Sequence, residues 1–210
     1  MDPFASATEL LAAMRAGRVS SSELTELYIG RIERHDRALN AVVVRDFERA
    51  RRQARAADGR AARGELAPLL GLPITLKESI NVIGLPTSCG VPEWRDFVSQ
   101  HDAPATARLR EAGAVLLGKT NVPPLLADWQ SANPIHGRTN KPWDLDRTPG
   151  RSSGGGAAAG LTALEVGSDI GGVHPRAPPP SAGCTATDRA RLSFPGAGSS
   201  PYRPCPTRRS

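Results

Sequence analysis

The chain has 210 residues, of which 39% are hydrophobic and 23% charged, a composition that can support one domain with a buried core. Its net charge of +6 would suit a nucleic-acid-binding protein, but six arginines and one aspartate fall in residues 173–210, and residues 1–172 are almost neutral. The sequence lacks a basic leader, an apolar run of about 18 residues and metal-ligand spacing of cysteine and histidine. We therefore expect a soluble, cytoplasmic protein with no metal site, no membrane span and no nucleic-acid partner.

Helices and short apolar strands alternate along the chain. Ser6 and Glu9 have capping-box spacing before a helix over 6–17, and Ser20 and Glu23 repeat that spacing before a second helix. Further helices are predicted over 46–63, 103–112 and 157–164, and strands over Ala41–Val44, Leu72–Leu76 and Ala114–Leu117. This alternation favours an α/β layered fold.

Residues 113–120 match the phosphate-loop pattern G-x-x-x-x-G-K-[ST]. That loop needs a strand before it and a helix after it, with its middle residues curled around a phosphate. Here the middle residues are Ala-Val-Leu-Leu, which are typical of a strand, and two prolines follow shortly after. The sequence therefore predicts a buried strand with Lys119 near its end, and no nucleotide site.

Three segments carry residues suited to catalysis. The first ends an apolar strand at Lys77, where burial could keep a lysine neutral enough to act as a base. The second places Ser152 and Ser153 among glycines, which allow close backbone approach. The third, residues 167–172, ends in a Gly-Gly turn whose N–H groups could bind an oxyanion. Each segment by itself also fits a purely structural role: the first a surface lysine, the second a flexible linker and the third a tight turn.

Together and in this order, the segments closely resemble the amidase-signature family, serine hydrolases with a Lys–Ser–Ser triad. The resemblance covers residues 1–172 and includes Gly118-Lys-Thr-Asn121 and the run from Asn133 to Asp144. The motif residues are more similar to those of the stand-alone amidases than to those of the amidotransferase subunits that make glutaminyl- or asparaginyl-tRNA. The resemblance to the family implies an α/β amidase-signature fold, a mixed β-sheet surrounded by helices. We expect this fold to be incomplete here, because family members run more than twice this length.

The resemblance also implies a role for each matching residue. Lys77 matches the general base, Ser152 the serine that relays a proton, and Ser153 a support for that loop. Three backbone N–H groups match the oxyanion hole, those of Ile170, Gly171 and Gly172. These roles imply hydrolysis of a small-molecule amide to an acid and ammonia or an amine through an acyl-enzyme, without cofactor or metal.

The chain departs from the family at the nucleophile. The family continues Gly-Gly with Ser-Ile-Arg-Val-Pro, whereas Gly172 is followed here by Val173-His-Pro-Arg-Ala177. The codons GTC CAT CCG CGT GCC encode the second sequence and, offset by one base, the first. One inserted G after the Gly172 codon thus converts the family sequence into this one, and as written the chain should be inactive.

Residues 173–210 resemble an out-of-frame translation. They hold eight of the 19 prolines and two of the three cysteines, with no apolar periodicity, and by themselves they predict a disordered Pro/Arg-rich tail. Read from the third base of each codon, Cys184 to Pro195 can encode Tyr-Gly-His-Arg-Pro-Ser and, a few residues later, Val-Pro. The family carries a similar Tyr-Gly-His-Lys-Pro stretch after its nucleophile, which implies a second slip near residues 178–180. We therefore expect two regions, 1–172 from the amidase domain and 173–210 out of frame.

Smaller departures and three alternatives stay open. Arg151 stands where the family usually has glycine, and the helix after Ser153 is about three residues short. The chain could instead be a truncated pseudoenzyme with a binding role, an amidotransferase A-type subunit, or a nucleic-acid binder acting through its basic tail. The pattern predicts no particular substrate and no particular oligomeric state.

Overall fold

The computed structural model describes residues 1–150 and 159–168, which form helices packed on a mixed sheet. The α-helices are α1 (Ala7–Arg15), α2 (Ser21–Leu39), α3 (Phe47–Ala62) and α4 (Pro104–Glu111). The strands are β1 (Val42–Arg45), β2 (Pro73–Lys77), β3 (Val115–Thr120), β4 (Ala132–Asn133), β5 (Gly137–Arg138) and β6 (Leu164–Val166). Short 3₁₀ turns cover Pro92–Trp94 and Pro124–Leu126. The predicted α/β class is confirmed.

Both predicted capping boxes are present. The Ser6 and Ser20 side chains accept the N–H groups of Glu9 and Glu23, and each glutamate carboxylate accepts its serine's backbone N–H in return. These reciprocal bonds satisfy donors that the first helical turn leaves without an intrahelical partner. The starts of α1 and α2 are therefore encoded locally, as the sequence predicts.

The main sheet is mixed and has the order β1-β3-β2-β6. β2 lies between β3 and β6 and runs parallel to both, while β1 is antiparallel to β3. A smaller antiparallel pair joins β4 to β5. In parallel strands the carboxyl ends meet at one edge, so the residues that follow β2, β3 and β6 come together.

The core lies between α2, α3 and the main sheet. Apolar side chains from α2 and the sheet are fully or almost fully buried, among them Leu24, Tyr28, Ile32, Ile74, Leu76 and Leu117. The buried positions of α3 are the small residues Ala50, Ala54 and Ala57, while its arginines lie outside the core. Alanine at these positions lets a strongly charged helix approach the sheet closely. The opposite face of α3 can therefore be solvated, as predicted for 46–63, while the alanine face packs on the core.

Residues 115–120 of the phosphate-loop run form β3, so the predicted buried strand is present. Gly118 lies inside this strand, where a Cβ would collide with the carbonyl oxygen of Val44 on β1. The glycine therefore serves close packing of two strands and forms no part of a phosphate cradle.

The helix predicted over 157–164 is wrong across its described part. Ala159 and Gly160 form a turn and β6 begins at Leu164. Gly160 has a φ of 62°, and a Cβ there would press on the ring of Phe4. Leu164 pairs with Ile74 on β2, so sheet pairing overrides the local helix propensity of this Ala/Leu-rich segment.

Candidate active site

The carboxyl edge of the sheet, where β2, β3 and β6 end, collects the polar residues of the candidate site. β2 ends at Lys77, β3 at Thr120 and β6 at Val166. Lys77 and Thr120 are direct partners in the parallel register, which places their side chains on the same face. This edge is where ligands bind in open α/β sheets.

Lys77 is completely buried at this edge. Its Nζ donates a hydrogen bond of 2.9 Å to the carbonyl oxygen of Ser168, two residues beyond the end of β6. Burial disfavours the charged form of an amine, which is the setting that a lysine base needs. The contact also joins the first predicted catalytic segment to the third, since Ser168 belongs to the stretch 167–172.

The other predicted site residues lie outside the described part of the chain: Ser152, Ser153, Ile170, Gly171, Gly172 and Val173. Their roles stay predictions. The proposed tail 173–210 lies outside it too.

A buried acidic residue next to Lys77 organises the neighbouring loop. Glu78 is fully buried and accepts hydrogen bonds from the backbone N–H of Ser88 at 2.5 Å, the Ser88 hydroxyl at 3.0 Å and the Cys89 N–H at 3.0 Å. Cys89 has a φ of 50° and Gly90 one of 69°, so the loop turns through two successive left-handed residues. Charge-assisted bonds of this kind can hold such a turn in place.

Lys119 holds the same loop from β3. It is fully buried, and its Nζ donates to the hydroxyl of Thr87 at 2.8 Å and to the carbonyl oxygen of Pro86. Glu78 and Lys119 thus fix residues 86–90 from two adjacent strand ends, and we call this pair the loop clamp. The clamp was not predicted from the sequence, although Glu78 follows Lys77 directly and Lys119 belongs to a family-like motif.

A second polar contact crosses the sheet. Thr120 donates its hydroxyl to the Glu165 carboxylate at 2.5 Å, although β2 lies between their two strands. Glu165 was also not predicted from the sequence, because only the register of β6 against β2 brings it to this face.

His136 lies on the clamp side of the site. Partial burial lowers the pKa of its imidazole; the negative charge of Glu78 acts in the opposite direction, and the positive charges of Arg95 and Lys119 lower this pKa further. Its backbone N–H donates to the Asn133 side chain at 2.8 Å, which orients the turn between β4 and β5.

Neither a metal cluster nor a membrane helix is found in the described ranges. Among residues 1–150 and 159–168, no three His, Cys, Asp or Glu side chains are grouped to hold a metal ion. In the same part of the chain, none of the helices has the length and apolar character to cross a bilayer.

The comparison with protein families matches residues 23–173 to the model named Amidase. The chain is 44% identical over 171 residues to the A-type subunit of glutamyl-tRNA(Gln) amidotransferase from Aromatoleum aromaticum, covering 80% of this chain and 35% of that protein. It is 42% identical over 171 residues to indoleacetamide hydrolase of Bradyrhizobium diazoefficiens, covering 80% of this chain and 33% of that protein. The two kinds of relative therefore match about equally well, and the chain spans about a third of their length.

Solved structures agree with this match. A structure described as fatty acid amide hydrolase superimposes with a TM-score of 0.76 at 32% identity, covering 81% of this chain and 31% of that one. The mixed sheet and its surrounding helices are thus shared with known amide hydrolases.

Proposed function

The chain belongs to the amidase family, and from this membership we propose that it is the N-terminal part of an amide hydrolase acting through Lys77, Ser152 and a nucleophile at position 173. The observation that carries the proposal is the complete burial of Lys77 with its Nζ at the Ser168 carbonyl, inside the segment that matches the family. We assign the hydrolase to the cytoplasm, with a small-molecule amide as substrate.

Each matching residue has a step in the proposed reaction. Neutral Lys77 accepts a proton that passes through the Ser152 hydroxyl from the nucleophile, which then attacks the amide carbonyl carbon. The N–H groups of Ile170, Gly171 and Gly172 bind the oxyanion of the tetrahedral intermediate. The amine leaves with a proton, and water releases the acid from the acyl-enzyme. The reaction requires neither a cofactor nor a metal.

The chain as written lacks the nucleophile, because Val173 offers no oxygen or sulfur atom. We propose that residues 1–172 are amidase domain and that residues 173–210 result from a shifted reading frame. The support is that one set of codons able to encode Val173–Ala177 reads Ser-Ile-Arg-Val-Pro, the family sequence, when it is shifted by one base. The 210-residue protein is then inactive, and a frame-restored gene encodes an active enzyme.

Two experiments test this proposal. Resequencing codons 145–215 from fresh DNA should show an in-frame serine codon after Gly172; reads that confirm the extra base would mean that the truncated chain is the natural product. The frame-restored protein should hydrolyse simple amides, and the same protein with alanine at position 173 should not. A folded, restored protein that hydrolyses no amide would disprove the assignment.

A second candidate is an amidotransferase A-type subunit, favoured by the 44% identity to such a protein. A substrate panel separates the two activities. Hydrolysis of indoleacetamide or simple aliphatic amides by the restored protein alone supports a stand-alone amidase. Glutamine hydrolysis that appears only with partner subunits supports the second candidate.

A further inference from the structure

One face of the sheet carries four polar side chains on three adjacent strands: Thr75 and Lys77 of β2, Thr120 of β3 and Glu165 of β6. The parallel register pairs Lys77 with Thr120 and Thr75 with Glu165, so all four point to the same side. The opposite face of β2 carries Ile74 and Leu76, which belong to the apolar core. We call the four residues the polar face.

The Glu165 carboxylate reaches across the face of β2 that carries Lys77 and bonds to Thr120, the register partner of Lys77. β3 and β6 flank β2, and neighbouring strands are about 4.8 Å apart, so the strands of Thr120 and Glu165 are about 10 Å apart. Their hydrogen bond of 2.5 Å therefore spans the face of β2 that carries Thr75 and Lys77. The Thr75 hydroxyl on this face is fully buried and has no hydrogen-bond partner among residues 1–150 and 159–168, so this part of the face is sheltered from water.

Other described charges near Lys77 are directed elsewhere. Glu78 is bonded to Ser88 and Cys89, and Lys119 lies on the opposite face of its strand, bonded to the 86–87 segment. On α2, which packs on β2, the buried acid Asp36 is bonded to the backbone at 41–42 and to Arg45. Glu165 is thus the acidic group that the described strands present on the face of Lys77.

We propose that Glu165 is a positioning residue for Lys77, whose carboxylate, held over β2 by Thr120, favours the ammonium form of the lysine. An opposite charge nearby stabilises the charged state of an amine, and the effect is larger where water is excluded. Burial and Glu165 therefore act on Lys77 in opposite directions. Only the catalytic consequence rests on the proposed function: the lysine base becomes available at a more alkaline pH than burial alone would give.

The first test observes the lysine directly and needs no activity. The sequence contains three lysines, Lys77, Lys119 and Lys141, so ¹³Cε-lysine labelling of the full chain gives three NMR signals, and Lys77→Arg assigns one of them. In Glu165→Gln, the Lys77 titration midpoint should move to lower pH by about one pH unit. Thr120→Val should move it in the same direction by less, because the carboxylate is kept but no longer held.

The matched control is Glu33→Gln, which removes an exposed acid on α2. It should leave all three lysine signals unchanged. In the test variants, unchanged signals from Lys119 and Lys141 report an intact fold. A Lys77 midpoint that is the same in Glu165→Gln as in the parent chain would overturn the proposal.

The second test measures the consequence in the frame-restored enzyme. Glu165→Gln should shift the acid limb of the kcat/KM profile to lower pH, while KM at the plateau stays within twofold of the parent. A loss of kcat at every pH without a shifted limb would point to a structural role alone and would contradict the inference. An inactive restored parent would remove the proposed function, whereas the NMR result would still decide the role of Glu165.

Discussion

Lys77 and Lys119 are equally buried and lie on adjacent parallel strands, but they donate hydrogen bonds to different parts of the chain. Lys119 donates to Pro86 and Thr87 and ties the loop 86–90 to the sheet, whereas Lys77 donates to the Ser168 carbonyl at the candidate site. Strand alternation causes the difference: Leu76 pairs with Lys119 and Lys77 with Thr120, so the two lysines point to opposite faces. Burial of a lysine therefore says little about its role until its face is known.

The largest expected effect comes from Lys77→Met in the frame-restored enzyme. Loss of the general base should lower kcat/KM by about 10³-fold, while a similar-sized apolar side chain keeps the buried site filled. Steady-state kinetics with Lys141→Met as a control, expected to be near the parent, measures this. Retention of more than a tenth of the parent activity would remove Lys77 from the mechanism.

Lys119→Met should instead act on stability. It leaves the Pro86 carbonyl and Thr87 hydroxyl without this donor, and such a loss costs about 1–3 kcal/mol of the free energy of unfolding. Urea denaturation of the full chain, with Lys77→Met and Lys141→Met alongside, measures the difference. If Lys119→Met is no more destabilising than Lys141→Met, the Lys119 half of the loop clamp contributes nothing to stability.

Glu78→Gln tests the other half of the loop clamp. The amide is a poorer acceptor than a carboxylate for the N–H groups of Ser88 and Cys89, so the free energy of unfolding should fall by about 1–2 kcal/mol. The loosened turn should also expose the Cys89 thiol, which is measured as faster reaction with a disulfide reagent after Cys184→Ser and Cys205→Ser. An unchanged thiol rate would show that the turn holds its shape without Glu78.

The smallest expected effect concerns the pKa of His136, which responds to the charges of Glu78 and Lys119 in the loop clamp. The Lys119 charge contributes to lowering the pKa of His136, so Lys119→Met should raise this pKa, and Lys77→Met should leave it close to its parent value. NMR titration of the imidazole measures both. Equal shifts of the His136 pKa in the two variants would mean that both lysine charges act on this imidazole equally, although they lie on opposite faces of the sheet.

The lowered pKa of His136 also predicts how stability depends on pH. Above the ordinary histidine pKa near 6.5, the imidazole is neutral in both folded and unfolded chains, so its protonation does not change the free energy of unfolding. As the pH falls below that value, the unfolded chain takes up the proton first, so stability decreases. His136→Gln should flatten this part of the stability profile, and His101→Gln serves as the control.

Local signals in the sequence predicted much of the fold. The capping pairs at Ser6 and Ser20 placed two helix starts, and the apolar run before Lys77 placed β2, because these patterns act within a few residues. The helix predicted over 157–164 failed where pairing with β2 gave Leu164 a strand partner. Residue composition could not reveal that partner, since it lies about 90 positions away in the chain.

The sequence by itself determined the family, the class of fold and the identity of Lys77 as the candidate base, because these depend on ordered motifs along the chain. Only the tertiary structure decided which charges surround that lysine. Glu165 and Thr120 meet across β2, and Glu78 and Lys119 meet at the loop after it, through strand register and face. Electrostatic contacts depend on distance in space, and the parallel order β3-β2-β6 sets that distance.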